Sequence, residues 1–343
     1  MNASVESIPP EWHPAPGFIV REGTLEVAGE FPLHHGGTLG SVRIAWHLSG
    51  PAHAPVVAAL GGISAHRRVA TDPSGEGWWS RIAAPGAPLN TAQFRILGFD
   101  FLGGSGDTTG PSAGERFPPV STFDQAEVLL RLLNHLGIKM LRAIAGGSYG
   151  GMVALAFAER YPQRVSQLIV IGAADSAHPV STGWRSAQRQ IVRFALESGR
   201  GAEGLAIARG LAMCTYRGRE ELAARFRGAP SLEKGELVAP IEQYLRARGR
   251  DYAAHYRPES FVCLSESIDL HQVDASRILT PVMAVAIAED QLVPLEDVRA
   301  MAARLPAGCL RVISSRYGHD AFLKEPEALR ASFAEALEGC SLC

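Results

Sequence analysis

Short, mainly apolar runs recur along this chain and predict buried strands. They cover residues 56–60, 94–99, 140–145, 168–171, 281–287 and 310–313. Runs with so little polar alternation are typical of parallel strands that are covered on both faces. Three earlier segments, at residues 18–20, 25–27 and 42–48, are separated by glycine-rich turns. Those segments predict an antiparallel start to the same sheet.

Helical periodicity separates these runs. Ser121 is a candidate N-cap, and the apolar residues that follow it at helical spacing predict a helix over residues 122–136. Residues 184–254 are helical in pattern, rich in arginine and alanine, and show no strand signal. Because such a long helical stretch falls between strands, it predicts a helical cap over the carboxyl edge of the sheet.

The order of these elements predicts an α/β-hydrolase fold, with a mostly parallel sheet flanked by helices and an inserted helical cap subdomain. Residues 1–16 are polar and rich in proline, and they predict an N-terminal arm. Residues 17–180 and 260–343 form the predicted core, and residues 181–259 form the predicted cap.

The turn around Ser148 is the main candidate for chemistry. Gly146 and Gly150 flank this serine at two residues on either side, between a predicted strand and a predicted helix. A nucleophile elbow needs nearly side-chainless residues at both positions, since strand and helix pass each other closely there. The alternative interpretation is a glycine-rich turn that only packs a strand on a helix.

A nucleophilic serine needs a base, and the base needs an acid that orients it. In this fold the acid and the histidine follow the serine in that order along the chain. Asp290 follows the strand at residues 281–287 and is the predicted acid, with Glu289 as the second choice. His319 follows the last strand and is the predicted base.

The oxyanion of the acyl-transfer intermediate requires backbone N–H donors. The N–H of Tyr149 lies at the predicted helix start and is one candidate donor. The loop after the strand at residues 56–60 supplies the second, which we assign to Ile63.

Composition narrows the classes of partner. The 343 residues include 33 basic and 35 acidic side chains, for a net charge of −2, so no nucleic-acid footprint is evident. No apolar run reaches the roughly 18 residues of a membrane span, and residues 1–7 lack the pattern of a signal peptide. The odd count of 5 cysteines predicts reduced thiols in a cytoplasmic protein.

At this level of detail the chain resembles the homoserine O-acetyltransferases, which share the α/β-hydrolase fold. The similarity extends over most of the chain, in blocks that keep the family's order. These blocks are residues 77–79, 102–111, 146–152, 185–189, 208–217, 241–245, 263–269 and 318–323.

The resemblance implies a ping-pong transfer of an acyl group from acyl-CoA through Ser148 to the hydroxyl of L-homoserine, in methionine biosynthesis. It also implies that Arg209 holds the substrate carboxylate and that Asp320 holds the amino group. Arg217 is then either a second anion contact or a structural salt bridge. A homodimer through the cap is implied, whereas no metal and no tightly bound cofactor are expected.

Several positions depart from the family pattern. Tyr149 stands where methionine is common, residues 103–106 lack the usual cysteine, and residues 61–66 differ from the usual pattern. These positions surround the acyl and alcohol pockets, so acetyl-CoA and succinyl-CoA both stay open as donors. A succinyl group requires one more cation, for which the cap offers Arg185, Arg189 and Arg193.

Three alternatives to homoserine acylation stay open. Serine is shorter than homoserine by one methylene, a difference worth only about 1–3 kcal/mol in a pocket. A serine O-acyltransferase of cysteine biosynthesis is therefore one alternative. An esterase with the same triad is another, and a non-enzymatic binding module is the third, although all three triad residues are present.

Overall fold

The computed structural model describes residues 17–114 and 117–338, and the predicted arm at residues 1–16 lies outside them. The strands are β1 Phe18–Val27, β2 Phe31–Pro32, β3 Thr38–Leu39, β4 Val42–Pro51, β5 Val56–Leu60, β6 Ala83–Ala84, β7 Leu89–Asn90, β8 Arg95–Phe99, β9 Ala143–Gly147, β10 Leu168–Ile171, β11 Ser231–Glu233, β12 Glu236–Val238, β13 Val282–Ile287 and β14 Gly308–Ile313. The helices are α1 Thr122–His135, α2 Tyr149–Arg160, α3 Pro179–Glu197, α4 Gly201–Tyr216, α5 Arg219–Arg225, α6 Pro240–Ala253, α7 Pro258–Asp269, α8 Leu295–Ala302, α9 Ala321–Lys324 and α10 Pro326–Glu338.

One sheet of 8 strands organises the molecule, in the order β1-β4-β8-β5-β9-β10-β13-β14. The pairs β1–β4 and β4–β8 are antiparallel, and every later pair in the sheet is parallel. This arrangement confirms the predicted antiparallel start and the predicted α/β-hydrolase fold. In such open sheets the loops at the carboxyl ends of the parallel strands carry the functional residues.

Both faces of the sheet are buried, which explains why the central strands read as uninterrupted apolar runs. In β10, Leu168 and Val170 belong to the core beneath α1 and α2, while Ile169 and Ile171 face the opposite core beneath α10. All four side chains are fully buried. Because successive side chains of a strand point to opposite faces, helices cover both faces of the sheet. The carboxyl edge of the sheet is then the place where functional loops can meet.

The first strand is longer than predicted. Residues 18–20 and 25–27 were expected as separate segments, but β1 runs unbroken through the polar residues between them. The reason is its position at the sheet edge, where one face is in water and polar side chains are tolerated. Gly23 pairs with Trp46 of β4, and the indole ring covers the space where a side chain would stand.

The predicted cap interval holds α3, α4, α5 and α6, together with a small hairpin, β11–β12, that was not predicted. Each of its strands has three residues, mostly exposed, so no burial pattern marks them in the sequence. Lys234 and Gly235 form the turn, with φ of 53° and 83°. Two consecutive residues at positive φ are typical of the type I′ turns that connect hairpin strands.

The prediction of reduced cysteines holds for only part of the described chain. Cys214 and Cys263 are free thiols, but Cys309 is disulfide-bonded, so the prediction is wrong at this position. Disulfide formation depends on the distance between two Cα atoms in the fold, and sequence spacing does not reveal that distance.

Among the helices of residues 17–114 and 117–338, none is both long enough and apolar enough to cross a membrane.

Candidate active site

Ser148 lies at the sharp turn between β9 and α2. Its backbone has φ 54° and ψ −123°, a strained conformation for a residue with a side chain. A Cβ on Gly146 would lie 2.3 Å from the carbonyl oxygen of Gly150. A Cβ on Gly150 would lie 2.2 Å from the carbonyl oxygen of Leu60. Both glycines are therefore needed for the close approach of strand and helix, as in a nucleophile elbow.

The structure brings Ser148, His319 and Asp290 together in a hydrogen-bonded chain. Nε2 of His319 lies 2.8 Å from Oγ of Ser148, and its Nδ1 lies 2.6 Å from Oδ2 of Asp290. Since a carboxylate accepts only, Nδ1 carries the proton and Nε2 is free to accept the serine proton. This is the geometry that a serine nucleophile requires.

The carboxylate of Asp290 is held in place by the loop after β13. Its Oδ1 accepts hydrogen bonds from the backbone N–H groups of Leu292 at 2.8 Å and Val293 at 3.0 Å, and the side chain is fully buried. Glu289, the second choice for the acid, instead accepts a hydrogen bond from the N–H of Ser315 at 2.7 Å. Only Asp290 is in contact with His319.

Opposing effects act on the pKa of His319. Burial lowers this pKa, while the charge of Asp290 and its hydrogen bond raise it by more, so the net shift is upward from 6.5. Asp320 adds to the increase, and the positive charge of Arg185 works against it. The net shift favours the protonated imidazole, which is the form that returns a proton to a leaving group.

Both residues predicted as oxyanion donors lie near Ser148, one by sequence and one as a wall of the same cavity. Tyr149 is the first residue of α2, and Ile63 lines the cavity next to Ser148. The loop of Ile63 is fixed by the hydroxyl of Tyr256, which donates to its carbonyl oxygen at 2.8 Å. The Tyr149 side chain turns away into the core, where its hydroxyl lies 2.7 Å from Oγ of Ser267 and burial raises its pKa.

A cavity of about 250 Å³ is lined by Ser148, by loops at the carboxyl edge of the sheet and by helices α3, α4 and α7. It has both apolar and charged walls, and its charged side chains are Arg185, Arg209, His319 and Asp320. A wider cleft of about 820 Å³ adjoins it and shares Arg209 and Asp320 as lining residues. These two side chains therefore stand where the cavity meets the cleft.

Arg209 is held by aromatic rings. Its guanidinium lies 5.0 Å from the ring centre of Tyr216 and 4.6 Å from that of Tyr252, in cation–π contact with both. Within the described ranges it forms no ion pair with a carboxylate. The rings hold the arginine in one position while its hydrogen-bonding groups stay available for an anion.

Asp320, the predicted partner of a substrate amino group, contacts Arg217. Nε of Arg217 lies 2.8 Å from Oδ2 of Asp320, and its Nη1 lies 3.6 Å from a carboxylate oxygen of Glu221. Arg217 is therefore a buried ion-pair partner of Asp320. Of the two spaces, it lines the wider cleft and not the cavity. Asp320 carries the carboxylate at the cavity wall.

The sequence identified Arg185, Arg189 and Arg193 as candidate cations but did not show which of them faces the site. Arg185 and Arg189 both bind the carboxylate of Asp269 at the end of α7, and of the two only Arg185 lines the cavity. Arg193 pairs with Glu266 at the surface. The pattern offered no signal for this difference, since positions 185, 189 and 193 follow one another at the same spacing of one helical turn.

A sequence model of the α/β-hydrolase fold family matches residues 56–326. Among curated relatives, the homoserine O-succinyltransferase of Xanthomonas campestris pv. campestris is 39% identical over 315 residues, which covers 91% of this chain and 83% of the relative. The homoserine O-acetyltransferase of Mycobacterium bovis is 33% identical over 372 residues, covering 95% of each chain.

Comparison with solved structures gives the same fold. The crystal structure of homoserine O-acetyltransferase from Bacillus anthracis superposes with a TM-score of 0.86 and covers 95% of this chain and 99% of its own. Its sequence identity of 18% makes this likeness evidence of fold alone.

Proposed function

This chain belongs to the homoserine O-acyltransferases of the α/β-hydrolase fold, and from that premise we propose that it acylates the hydroxyl of L-homoserine by a ping-pong mechanism through Ser148. The observation that carries the proposal is the pair formed by Arg209 and Asp320 at the wall of the Ser148 cavity. One free cation and one carboxylate match the two charges of an amino acid. A simple ester offers neither charge.

In the first half-reaction, Oγ of Ser148 attacks the thioester carbonyl carbon of an acyl-CoA. His319 takes the Oγ proton at Nε2, and the N–H groups of Tyr149 and Ile63 bind the developing oxyanion. The C–S bond then breaks, and His319 gives its proton to the sulfur, so coenzyme A leaves as a thiol. Asp290 keeps the imidazole oriented and stabilises its charged form.

In the second half-reaction, the homoserine hydroxyl attacks the acyl carbon of the acyl-enzyme. Arg209 holds the substrate carboxylate and Asp320 holds its ammonium group, so the hydroxyl is aimed at Ser148. His319 accepts the hydroxyl proton and returns a proton to Oγ as the bond from Ser148 to the acyl carbon breaks. The product is an O-acylhomoserine, an intermediate of methionine biosynthesis.

The wider cleft gives the coenzyme a route to Ser148. It is lined by Arg225, Arg248 and Lys324, which suit the phosphate groups of the coenzyme. The proposal includes no tightly bound cofactor. It does include a cytoplasmic location, because coenzyme A thioesters are used in that compartment.

We include a homodimer through the cap in the proposal. Exposed apolar side chains on α3 and α4 support it, since Val180 is 59%, Phe194 75% and Ile207 62% exposed. Large apolar side chains with this exposure are candidates for contact with a second copy of the chain.

The experiment that tests the function measures coenzyme A release from acetyl-CoA and from succinyl-CoA, each with L-homoserine, L-serine or no acceptor, and records the product mass. We expect release that depends on homoserine and yields an O-acylhomoserine. Release that ignores the acceptor means hydrolysis, and a preference for serine means the cysteine pathway. Ser148→Ala is the control, since it removes the nucleophile and leaves the charged side chains in place.

A further inference from the structure

Arg185 contributes a charge to the cavity that homoserine binding does not use. Its Nε and Nη2 lie 2.8 and 2.7 Å from Oδ1 of Asp269. The other oxygen of that carboxylate, Oδ2, accepts a hydrogen bond from Nη1 of Arg189 at 2.5 Å. Two guanidinium groups therefore share one carboxylate.

The cluster of two arginines and one aspartate carries one surplus positive charge, and this charge is largely removed from water. The side chains of Arg185, Arg189 and Asp269 are 13%, 11% and 13% exposed. The neighbouring acid on α7, Glu266, is committed to Arg193. An uncompensated charge with so little contact with water is costly, so its retention indicates a ligand of opposite charge.

The surplus charge faces the reaction centre. Arg185 lines the cavity together with Ser148, and it is close enough to His319 to act on its ionisation. Within the part of the chain that the structure describes, Nη1 of Arg185 has no hydrogen-bond partner. It is the nitrogen left over after Asp269 has engaged the other two.

The two cavity arginines occupy different places. Arg209 lies where the cavity meets the wider cleft, next to Asp320, whereas Arg185 lines only the inner cavity. With Arg209 and Asp320 assigned to homoserine, the remaining cation lies on the side that the acyl group occupies. An acetyl group carries no charge that Arg185 could pair with.

We propose that Arg185 binds the terminal carboxylate of the donor's acyl group, so that the enzyme selects succinyl-CoA over acetyl-CoA. This inference rests on the proposed function and deepens it. The terminal carboxylate forms and breaks no covalent bond, and its role is to seat the thioester carbon against Ser148. Ser265 lines the same cavity, and because its Oγ accepts from Arg189 at 3.0 Å, its O–H is free to donate to that carboxylate.

The test compares kcat/KM for succinyl-CoA and acetyl-CoA at saturating homoserine. We expect the wild type to prefer succinyl-CoA by at least about 10-fold, and Arg185→Met to lower that ratio by about 10- to 100-fold, the range for a charged hydrogen bond. Arg193→Met is the matched control. It removes an arginine of the same helix that pairs with Glu266 at the surface and lines neither the cavity nor the wider cleft, so the ratio stays within about 3-fold of wild type.

A second measurement needs no variant. The wild type is mixed with equal concentrations of both donors and no acceptor, and the mass of the acyl-enzyme is recorded at short times. We expect mainly the succinyl adduct on Ser148. Arg185→Lys keeps the charge but loses the paired donors, and its donor ratio is expected to lie between those of wild type and Arg185→Met.

The outcomes separate the two proposals. Transfer to homoserine that runs equally well or better from acetyl-CoA overturns the donor inference and leaves the proposed function standing. Equal changes in donor ratio for Arg185→Met and Arg193→Met, or no change for either, overturn the role of Arg185. Absence of homoserine-dependent release from both donors means that the proposed function itself fails.

Discussion

Nε of Arg217 lies 2.8 Å from Oδ2 of Asp320, so the carboxylate assigned to the substrate ammonium group is already oriented by a buried cation. This contact fixes the rotamer of Asp320 before substrate arrives. The contact is an ion pair by distance, and neither carboxylate oxygen of Asp320 has a hydrogen-bond partner in residues 17–114 and 117–338, although Asp320 lines the cavity. Preorganisation of this kind reduces the entropy that substrate binding would otherwise cost.

The first prediction concerns this carboxylate. Asp320→Asn removes the negative charge, and we expect KM for homoserine to rise by about 10- to 100-fold, since a charged hydrogen bond is lost. Because Asp320 also raises the pKa of His319, the acid limb of the rate profile moves to lower pH. Asp251→Asn in the wider cleft is the control and leaves both quantities near wild type. An unchanged KM in Asp320→Asn would count against the assigned role.

The second prediction separates the half-reactions. Arg209→Met removes the cation held between two tyrosine rings, so we expect KM for homoserine to rise by about 10- to 100-fold while acylation of Ser148 is largely spared. Stopped-flow measurement of the coenzyme A burst without acceptor checks the first half-reaction. Tyr252→Phe keeps a ring under the guanidinium and is the matched control. Equal damage to both half-reactions in Arg209→Met would rule out its role as an acceptor-binding residue.

The third prediction is a pH profile. His319 must be neutral to take the serine proton, and its pKa is raised above 6.5, so kcat/KM for acyl-CoA falls as the pH drops through that raised pKa. Asp290→Asn removes the carboxylate that raises the pKa of His319 most, so the acid limb moves to lower pH. The plateau falls by up to about 10⁴-fold because the imidazole loses its orientation.

Glu289→Gln is the control for this profile. Glu289 lies next to Asp290 in sequence but bonds to the N–H of Ser315, so its substitution should leave the acid limb in place. A shift of the limb in Glu289→Gln but not in Asp290→Asn would reverse the assignment of the acid.

Features of the fold that depend on neighbouring residues in the sequence could be predicted. The fold was predictable because the strands are buried on both faces and because Gly146 and Gly150 mark one turn that few other residues permit. The positions of Asp290 and His319 were predictable because loops at the carboxyl ends of neighbouring parallel strands meet at one edge. The structure places these two side chains in contact with each other.

Other features depend on contacts between distant segments. Arg185 meets Asp269 across 84 positions of the chain, and no spacing rule links the two. The cation–π position of Arg209 needs Tyr252 from another cap helix. A charge on a helical pattern looks the same whether it faces water or a cavity, so the sequence alone left three cap arginines equivalent.

The last prediction tests the elbow through a pair of glycines with opposite surroundings. A Cβ on Gly150 would overlap the backbone of Leu60, which belongs to the central sheet and has no room to move. Gly150→Ala should therefore destabilise the protein by more than about 3 kcal/mol, or prevent folding. Gly183 lies inside α3, is exposed, and has no atom within 4 Å of its Cβ position. Gly183→Ala should stabilise by about 0.5–1 kcal/mol, because alanine is the better helix former. Urea unfolding of both variants decides the matter, since a tolerated Gly150→Ala would mean that the turn at Ser148 is not the close-packed elbow on which the mechanism depends.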